Sequence, residues 1–104
     1  MSSYKIEKTV NGIMSGDVTT LTVSFGTPAA NDKIVVDAAA ALAALAPLGG
    51  AFCLVTGPAS LPVAFVLAHA LLHNFQTIGV FDPKLQKFVC VSSHGGDHKV
   101  GDLL

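Results

Sequence analysis

Between residues 51 and 94 the hydrophobic positions of the chain follow two different periods. A short apolar run ends at Gly57-Pro58, a residue pair that is typical of a tight turn. The apolar positions that follow recur at helical spacing, and Pro62 suits a first helical turn because its missing N–H group is not needed there. Strand-forming residues then occupy two short runs on either side of a second turn. The predicted elements are a strand at 51–56, a helix that ends near Asn74, a strand at 76–82, a turn at 83–86 and a strand at 87–94.

The first half of the chain predicts two strands and a helix. Residues 4–9 form the first strand, and the alternation of residues 18–25 is typical of a half-buried strand. Asn11-Gly12 between them is a hairpin signal, which Ser15, Gly16 and Asp17 extend. An apolar stripe predicts a helix from about 32 to 46, with Asn31 as its N-cap. The β-branched residues 34–36 leave one alternative open, a short strand with Asp37 as a cap.

The predicted order of elements is β-β-α-β-α-β-β. It indicates an α/β fold in which two helices cover one or both faces of a mixed sheet of about five strands. A chain of 104 residues has room for one domain with one core, so we expect a single domain over 1–104. The pattern contains no internal repeat and no linker.

The central strand–helix–strand unit defines two ends of the molecule. In a right-handed crossover, the turn at 57–60 and Asp82 lie at the carboxyl ends of parallel strands, where open sheets bind ligands. We call this end the top. The helix runs about 20 Å away from it, so His73 and His94 are expected at the opposite end, the bottom.

Composition narrows the possible partners. The chain is 51% hydrophobic, 12% charged and carries a net charge of −1, with six lysines and no arginine. Such an apolar surface favours pairing with a second copy, a homodimer. The lack of clustered positive charge argues against DNA or other long nucleic acid as the main ligand, although backbone N–H groups can still hold a small anion.

The membrane and disulfide signals are both weak. The apolar run 38–55 is interrupted by Pro47, Gly49 and Gly50, so we do not expect a membrane span or a membrane partner. Cys53 and Cys90 each lie inside a predicted strand and are expected to be buried free thiols. No signal peptide is visible in the polar N-terminus, and a reducing cytoplasm fits these features.

The top carries residues that suit an anionic ligand. Gly57, Pro58, Ala59 and Ser60 precede a helix, whose dipole and free N–H groups attract phosphate, and Gly57 would allow close approach. An ordinary strand-to-helix turn is the alternative, and no Walker loop is present. Asp82 is either a general acid or base or the cap of its turn, and Lys84 can meet a phosphate.

Histidines supply the other candidate chemistry. His69 and His73 are four residues apart on one predicted helix face, a spacing that can chelate a metal, although His69 fits a buried core position better. His94, Asp97 and His98 lie on a glycine-rich stretch near the bottom. With His73 they are candidates for a divalent metal site or a general base. Solvated loop residues are the equally open alternative.

Several of these residues occur in segments that resemble a known family. The segments are Gly57 to His73, Val80 to Leu85, Ser93-His94 and Val100-Gly101-Asp102, and they resemble the CRISPR-associated Csx-three family, the type-three ring nucleases. The resemblance covers about 31–104; the N-terminal hairpin fits in layout only. Where some members have Asp-Pro-Arg, this chain has Lys84, which keeps the charge but not bidentate phosphate recognition.

The resemblance implies a fold, a ligand and a set of site residues. The fold would be related to cyclic-nucleotide sensor (CARF) domains, and the protein would be a homodimer. The ligand would be cyclic tetra-adenylate, whose manganese(II)-dependent cleavage switches off type III CRISPR defence. The helix-end histidine of the family corresponds to His73, the Asp-Pro aspartate to Asp82, and the Ser-His histidine to His94.

Three functions follow as hypotheses. The first is a ring nuclease with His73, Asp82 and His69 as catalytic candidates, with 57–60 and Lys84 as ligand contacts, and with His94, Asp97 and His98 as metal ligands. The second is a sensor that binds the ring without cutting it, and the third is a manganese-dependent exonuclease that trims the 3′ ends of short RNA. Because top and bottom are about 20 Å apart, a site that uses both requires dimers to stack head to tail into tetramers or filaments.

Overall fold

The computed structural model describes residues 2–13 and 16–104. Seven elements follow one another in the predicted order. Their bounds are β1 (Tyr4–Ile13), β2 (Gly16–Phe25), α1 (Asn31–Ala44), β3 (Gly50–Thr56), α2 (Leu61–Leu71), β4 (Phe75–Asp82) and β5 (Lys87–Ser93).

The five strands form one mixed sheet whose spatial order is the order of the chain, β1-β2-β3-β4-β5. The two outer pairs are antiparallel, whereas β2, β3 and β4 run parallel and are joined by α1 and α2. Since both crossovers step in the same direction, both helices pack on one face and touch each other. The predicted α/β fold with a five-stranded mixed sheet is confirmed. Of the two predicted arrangements, the structure has the one in which both helices cover the same face of the sheet.

The core lies between the helices and this face of the sheet. Each helix buries one stripe, Ile34, Ala38 and Leu42 in α1 and Val63, Leu67 and Leu71 in α2. Alternate residues of β2 and β3 meet these stripes, and each large side chain buried there stabilises the fold by about 1.5–3 kcal/mol. The strand residues involved are Leu21, Val23, Cys53 and Val55.

The C-terminal segment covers part of the other face. Leu103 pairs with Val89 of β5, and the backbone N–H of Leu104 donates to the carbonyl of Phe88. The Leu104 side chain packs over Gly79, and Cys90 is fully buried beneath this segment. The predicted tail therefore joins β5 through one isolated bridge and does not form a further strand.

The N-terminal hairpin is longer than its sequence predicts. Asn11 pairs with Val18 and Gly12 with Asp17, so both residues lie inside the ladder. The prediction of a turn at Asn11-Gly12 is wrong, because β1 is an edge strand with one side open to solvent, where Asn and Gly are tolerated. The expected extension of the turn through Ser15 lies outside the described residues.

Helix α1 begins differently from the prediction. Its N-cap is Ala30, which makes no side-chain cap bond, so the prediction of Asn31 as cap is wrong. Residues 34–36 are helical, with Ile34 buried, which excludes the alternative strand. Asp37 forms an ion pair with Lys33 (2.7 Å) and accepts hydrogen bonds from Ser3. These contacts, chiefly the bond from Lys33, hold the pKa of Asp37 well below its usual range.

The apolar run 38–55 is divided between α1, β3 and the loop that joins them, as the interruption at Pro47, Gly49 and Gly50 predicts. Helix α1 ends at Ala44 and β3 begins at Gly50. Within residues 2–13 and 16–104, no helix has the length and apolar character needed to cross a membrane. Both cysteines are buried and free, as expected.

Candidate functional site

The 57–60 turn connects the two helix starts at the top. Ser60 is the N-cap of α2, where its Oγ accepts a 3.4 Å hydrogen bond from the N–H of Val63. The same hydroxyl donates to Oδ1 of Asn31, the first residue of α1, at 2.9 Å. The cap that the sequence suggests for Ser60 is confirmed, and Asn31 acts as its partner. Two positive helix ends therefore lie side by side.

Gly57 is required by packing against the neighbouring strand. Its φ of +128° is unfavourable for other residues, and a Cβ atom there would lie 1.9 Å from the carbonyl oxygen of Val23 in β2. The sequence predicts that Gly57 lets a ligand approach closely. In the structure, it is the carbonyl of Val23 in β2 that lies close to Gly57. Substitution of Gly57 would test folding before it tested binding.

Tyr4 holds the backbone of the 57–60 turn in place. Its hydroxyl donates a 2.6 Å hydrogen bond to the carbonyl of Pro58, and its ring is 1% exposed. Burial raises the pKa of Tyr4 to about 12, so the phenol remains a protonated donor at neutral pH. The backbone of the turn is consequently held by a residue 54 positions away in the chain.

A groove of about 570 Å³ opens at this end beside Ser60 and the start of α1. Its walls come mainly from the loop between β2 and α1, which supplies small and apolar residues. The wall residues are Phe25, Gly26, Thr27, Pro28, Ala29, Ala30, Asn31, Ile34 and Ser60. Because charged side chains are missing from these described walls, an anion here would rely on the helix ends and on backbone N–H groups.

Asp82 closes β4 and caps the turn that follows. Its Oδ1 accepts from the N–H groups of Lys84 (2.8 Å) and Leu85 (3.1 Å), the capping alternative that the sequence left open. Lys84 is exposed on this turn. Both residues lie at the carboxyl end of β4, which is the top, as expected.

His73 and His94 come together at the bottom. Their ring centroids are 5.7 Å apart, with the ring planes tilted by 31°. Nε2 of His94 lies 2.7 Å from the carbonyl oxygen of Leu72. Because a carbonyl only accepts, this nitrogen carries the proton, and the neutral ring keeps its lone pair on Nδ1. The bond fixes a ring whose free nitrogen is suited to accept a proton or bind a metal.

The other candidate residues lie apart from this pair. His69 is exposed on α2, beside a groove shared with α1, so the alternative of a buried core histidine is wrong. His98 packs edge-on against Phe52, at 5.2 Å between ring centroids, and Asp97 lines the same side of the sheet. In the part of the chain that the structure describes, no three His, Cys, Asp or Glu side chains gather closely enough to hold a metal. The predicted ligands His94, Asp97 and His98 are thus not assembled within one chain.

Top and bottom are well separated. Helix α2 has 11 residues and is therefore about 16 Å long, and the eight residues of β4 span about 23 Å. Asp82 at one end of β4 and His73, two residues before its other end, cannot meet in one chain.

The model of the family described as CRISPR-associated protein (Cas_csx3) matches residues 48–104, which is more than half of the chain. The chain belongs to this family. The match runs from β3 to the C-terminus and includes the 57–60 turn, the histidine pair and Asp82. The match therefore includes candidate residues of both the top and the bottom, whereas β1, β2 and α1 lie outside it. No curated protein matches the chain.

Sequence reasoning missed two residues of the top. Tyr4 is the single tyrosine of the chain, and nothing in its surroundings indicates a partner at Pro58. The sequence predicts Asn31 as the cap of its own helix, but its side chain accepts a hydrogen bond from Ser60, the cap of α2. A signal existed for Asn31: both helix starts follow parallel strands and must lie at the same edge of the sheet.

Proposed function

We propose that this protein is a ring nuclease, a phosphodiesterase that binds and cleaves cyclic tetra-adenylate and so ends type III CRISPR signalling in the cytoplasm. Membership of the CRISPR-associated family supports the setting. The observation that carries the chemistry is the pairing of His73 and His94 at the end opposite to the 57–60 turn. The fold would then be a small relative of the cyclic-nucleotide sensor (CARF) domains.

The two ends would have different tasks. At the top, the ends of α1 and α2 and the exposed Lys84 would attract the phosphates of the ring. At the bottom, Nδ1 of His94 or the ring of His73 would remove the proton from the attacking oxygen as phosphorus is attacked. The proton returned to the leaving oxygen would come from the other histidine or from water.

One chain cannot apply both ends to one phosphate, because a general base must lie about 3 Å from its proton. We therefore propose that homodimers stack head to tail, so that the bottom of one faces the top of the next and the ring lies between them. Tetramers or longer filaments would be the active form. The rate per chain should then rise with protein concentration.

We also propose that cleavage depends on manganese(II). The described residues of one chain do not supply three converging ligands. The same observation favours a second candidate function, a sensor that binds cyclic tetra-adenylate without cutting it.

Incubation with labelled cyclic tetra-adenylate, with manganese, without it, and with a chelator, separates these functions. Linear product is expected from the ring nuclease; bound but intact ring would support the sensor. Absence of both binding and cleavage would refute the ligand. Short RNA with a labelled 3′ end serves as a parallel substrate, and trimming of that RNA alone would instead indicate an exonuclease.

A mixture of two inactive variants tests the stacked site. His73→Ala removes one histidine of the bottom, and Asp82→Asn removes the carboxylate that we propose as the catalytic group of the top, while leaving an oxygen to cap its turn. Since each variant supplies the end that the other lacks, the mixture should recover activity. A mixture that stays inactive while both proteins remain folded would contradict stacking.

A further inference from the structure

The loop that follows β5 carries His94 as its first residue. Strand β5 ends at Ser93, and residues 94–98, which we call the histidine loop, follow it directly. Gly95 and Gly96 have φ values of +75° and +110°, which other residues rarely adopt. Because two adjacent glycines give the loop little stiffness of its own, contacts at its two ends must fix its path.

The hydroxyl of Ser93 closes the histidine loop at its base. Its Oγ donates a 2.6 Å hydrogen bond to the carbonyl oxygen of His98, five residues further along the chain. The bond is partly buried, so water competes with it less than at an exposed site. It joins the last residue of β5 to the last residue of the loop, and residues 94–97 between them therefore follow a closed path.

His98, the acceptor of this bond, is also held from its other side. Its ring packs edge-on against Phe52 of β3, at 5.2 Å between ring centroids. The chain beyond it returns to β5, where the backbone N–H of Gly101 donates to the carbonyl of Cys90 at 2.8 Å. The hydroxyl of Ser93 therefore joins β5 to a residue that is already fixed in place.

The direction of the His94 ring depends on the path of this loop. The backbone N–H of His94 donates to the carbonyl of Gln76 at 2.8 Å, which fixes the residue on the side that faces β4. The ring itself is exposed and is oriented by its 2.7 Å hydrogen bond to Leu72. One exposed hydrogen bond is weak, so it cannot keep the ring in place if the backbone that carries the ring moves.

We propose that Ser93 is a positioning residue for His94. By closing the histidine loop, its hydroxyl keeps Nδ1 of His94 in one direction beside the ring of His73. The consequence for catalysis rests on the proposed function, in which this nitrogen is a candidate general base. Such a base acts about 3 Å from its proton, and a displacement of about 1 Å can lower a rate about 100-fold.

Three variants separate positioning from a general effect on the fold. Ser93→Ala removes the donor, whereas Ser93→Thr keeps a hydroxyl at the same place in the strand and should restore what alanine loses. Ser92→Ala is the matched control, because Ser92 lies on the opposite side of β5, where it lines the groove beside α2. Urea denaturation verifies that each variant is folded under the conditions used.

NMR of the His94 ring, recorded without nucleotide, tests the positioning directly. At a pH where the ring is neutral, the wild type should show the tautomer protonated at Nε2, because this nitrogen donates to Leu72. In Ser93→Ala the ring nitrogen shifts should move towards an average of the two tautomers. In Ser93→Thr and Ser92→Ala they should keep the wild-type values. Unchanged shifts in Ser93→Ala, or an equal change in Ser92→Ala, would overturn the proposal.

Cleavage of cyclic tetra-adenylate tests the consequence for catalysis. Ser93→Ala should lower kcat about tenfold and change KM less than about twofold, because nucleotide binding is proposed for the top. In a His94→Ala background the same substitution should cause no further loss, since Ser93 acts through His94. A further loss of similar size would overturn this route. If the wild type cleaves no cyclic tetra-adenylate, the ring nuclease proposal fails, and the nucleotide-free NMR result still decides whether Ser93 positions His94.

Discussion

The top and bottom of this molecule are built in different ways. The backbone of the 57–60 turn is held by Tyr4, by the contact of Gly57 with β2 and by the bond between Ser60 and Asn31. At the bottom, His73 and His94 are exposed beyond the ends of their elements, and one bond to Leu72 orients the ring of His94. The contacts that hold the top therefore also stabilise the fold. The histidines at the bottom can be substituted with little effect on stability. Substitutions at the top should therefore reduce stability, and substitutions at the bottom should reduce activity.

The largest expected effect is on stability at Gly57. Gly57→Ala places a Cβ 1.9 Å from the Val23 carbonyl at a φ of +128°, so β2 and β3 must move apart. We expect a loss of at least about 4 kcal/mol in the free energy of unfolding. Urea denaturation measures it.

Gly95→Ala is the matched control for this prediction. Gly95 also has a positive φ, +75°, but its Cβ would meet no atom within 4 Å. Only the backbone conformation then matters, at about 1–2 kcal/mol. Equal losses for the two variants would show that contact with Val23 is not what requires a glycine at position 57.

The second prediction concerns activity at the bottom. His94→Ala should lower the rate of cyclic tetra-adenylate cleavage at least about 100-fold, the usual contribution of a general base. The free energy of unfolding should change by less than about 1 kcal/mol, because the ring is exposed and loses one hydrogen bond. His69→Ala is the comparison, since His69 lies outside the pair. A larger loss of rate at His69 would move the chemistry away from the bottom.

The different construction of the two ends also explains what the sequence could predict. The order of elements, the position of Asp82 at the top and the location of His73 and His94 at the bottom follow from crossover handedness and element lengths. These are properties of the backbone path, which hydrophobic periodicity reveals. Local capping by Ser60 was predictable for the same reason, since cap and helix are adjacent in sequence.

Contacts between distant segments were not predictable. The bond from Tyr4 to Pro58 and the requirement for Gly57 beside Val23 depend on how β1 and β2 lie against the turn. Likewise, Asn11 and Gly12 are typical of a turn, but the pairing of β1 with β2 continues through both residues. His98 was predicted to join a metal site near the bottom, but its ring packs on Phe52 instead. Side-chain direction at a loop cannot be read from spacing alone.

A third prediction uses the single tyrosine as a probe of the top. Because the chain has one tyrosine and no tryptophan, tyrosinate absorbance titrates Tyr4 alone. We expect one transition near pH 12, above the ordinary value of 10.0, because the phenol is buried. A folded pKa above the unfolded value gives a stabilisation that is complete below pH 10 and is lost as the pH rises to 12. A transition at the ordinary value would mean that the ring is not held under the turn.

The smallest expected effect is at Ser60. Ser60→Ala removes both the cap of α2 and the donor to Asn31, and should cost about 1 kcal/mol of unfolding free energy. Asn31→Ala removes the second contact only. In a double-mutant cycle the two substitutions should be less than additive, because the bond between the helix starts can be lost only once.

The same pair of variants shows whether the top binds the ring through its helix ends. Ser60→Ala loosens the first turn of α2, whose N–H groups would face a phosphate, whereas Asn31→Ala leaves the Ser60 cap in place. In titrations with cyclic tetra-adenylate, Ser60→Ala should therefore weaken binding more than Asn31→Ala does. The NMR chemical shifts of the His73 and His94 rings should not change in either variant. Equal affinities for the two variants would mean that the α2 cap is structural, and a shift at the histidines would mean that the two ends are coupled through α2.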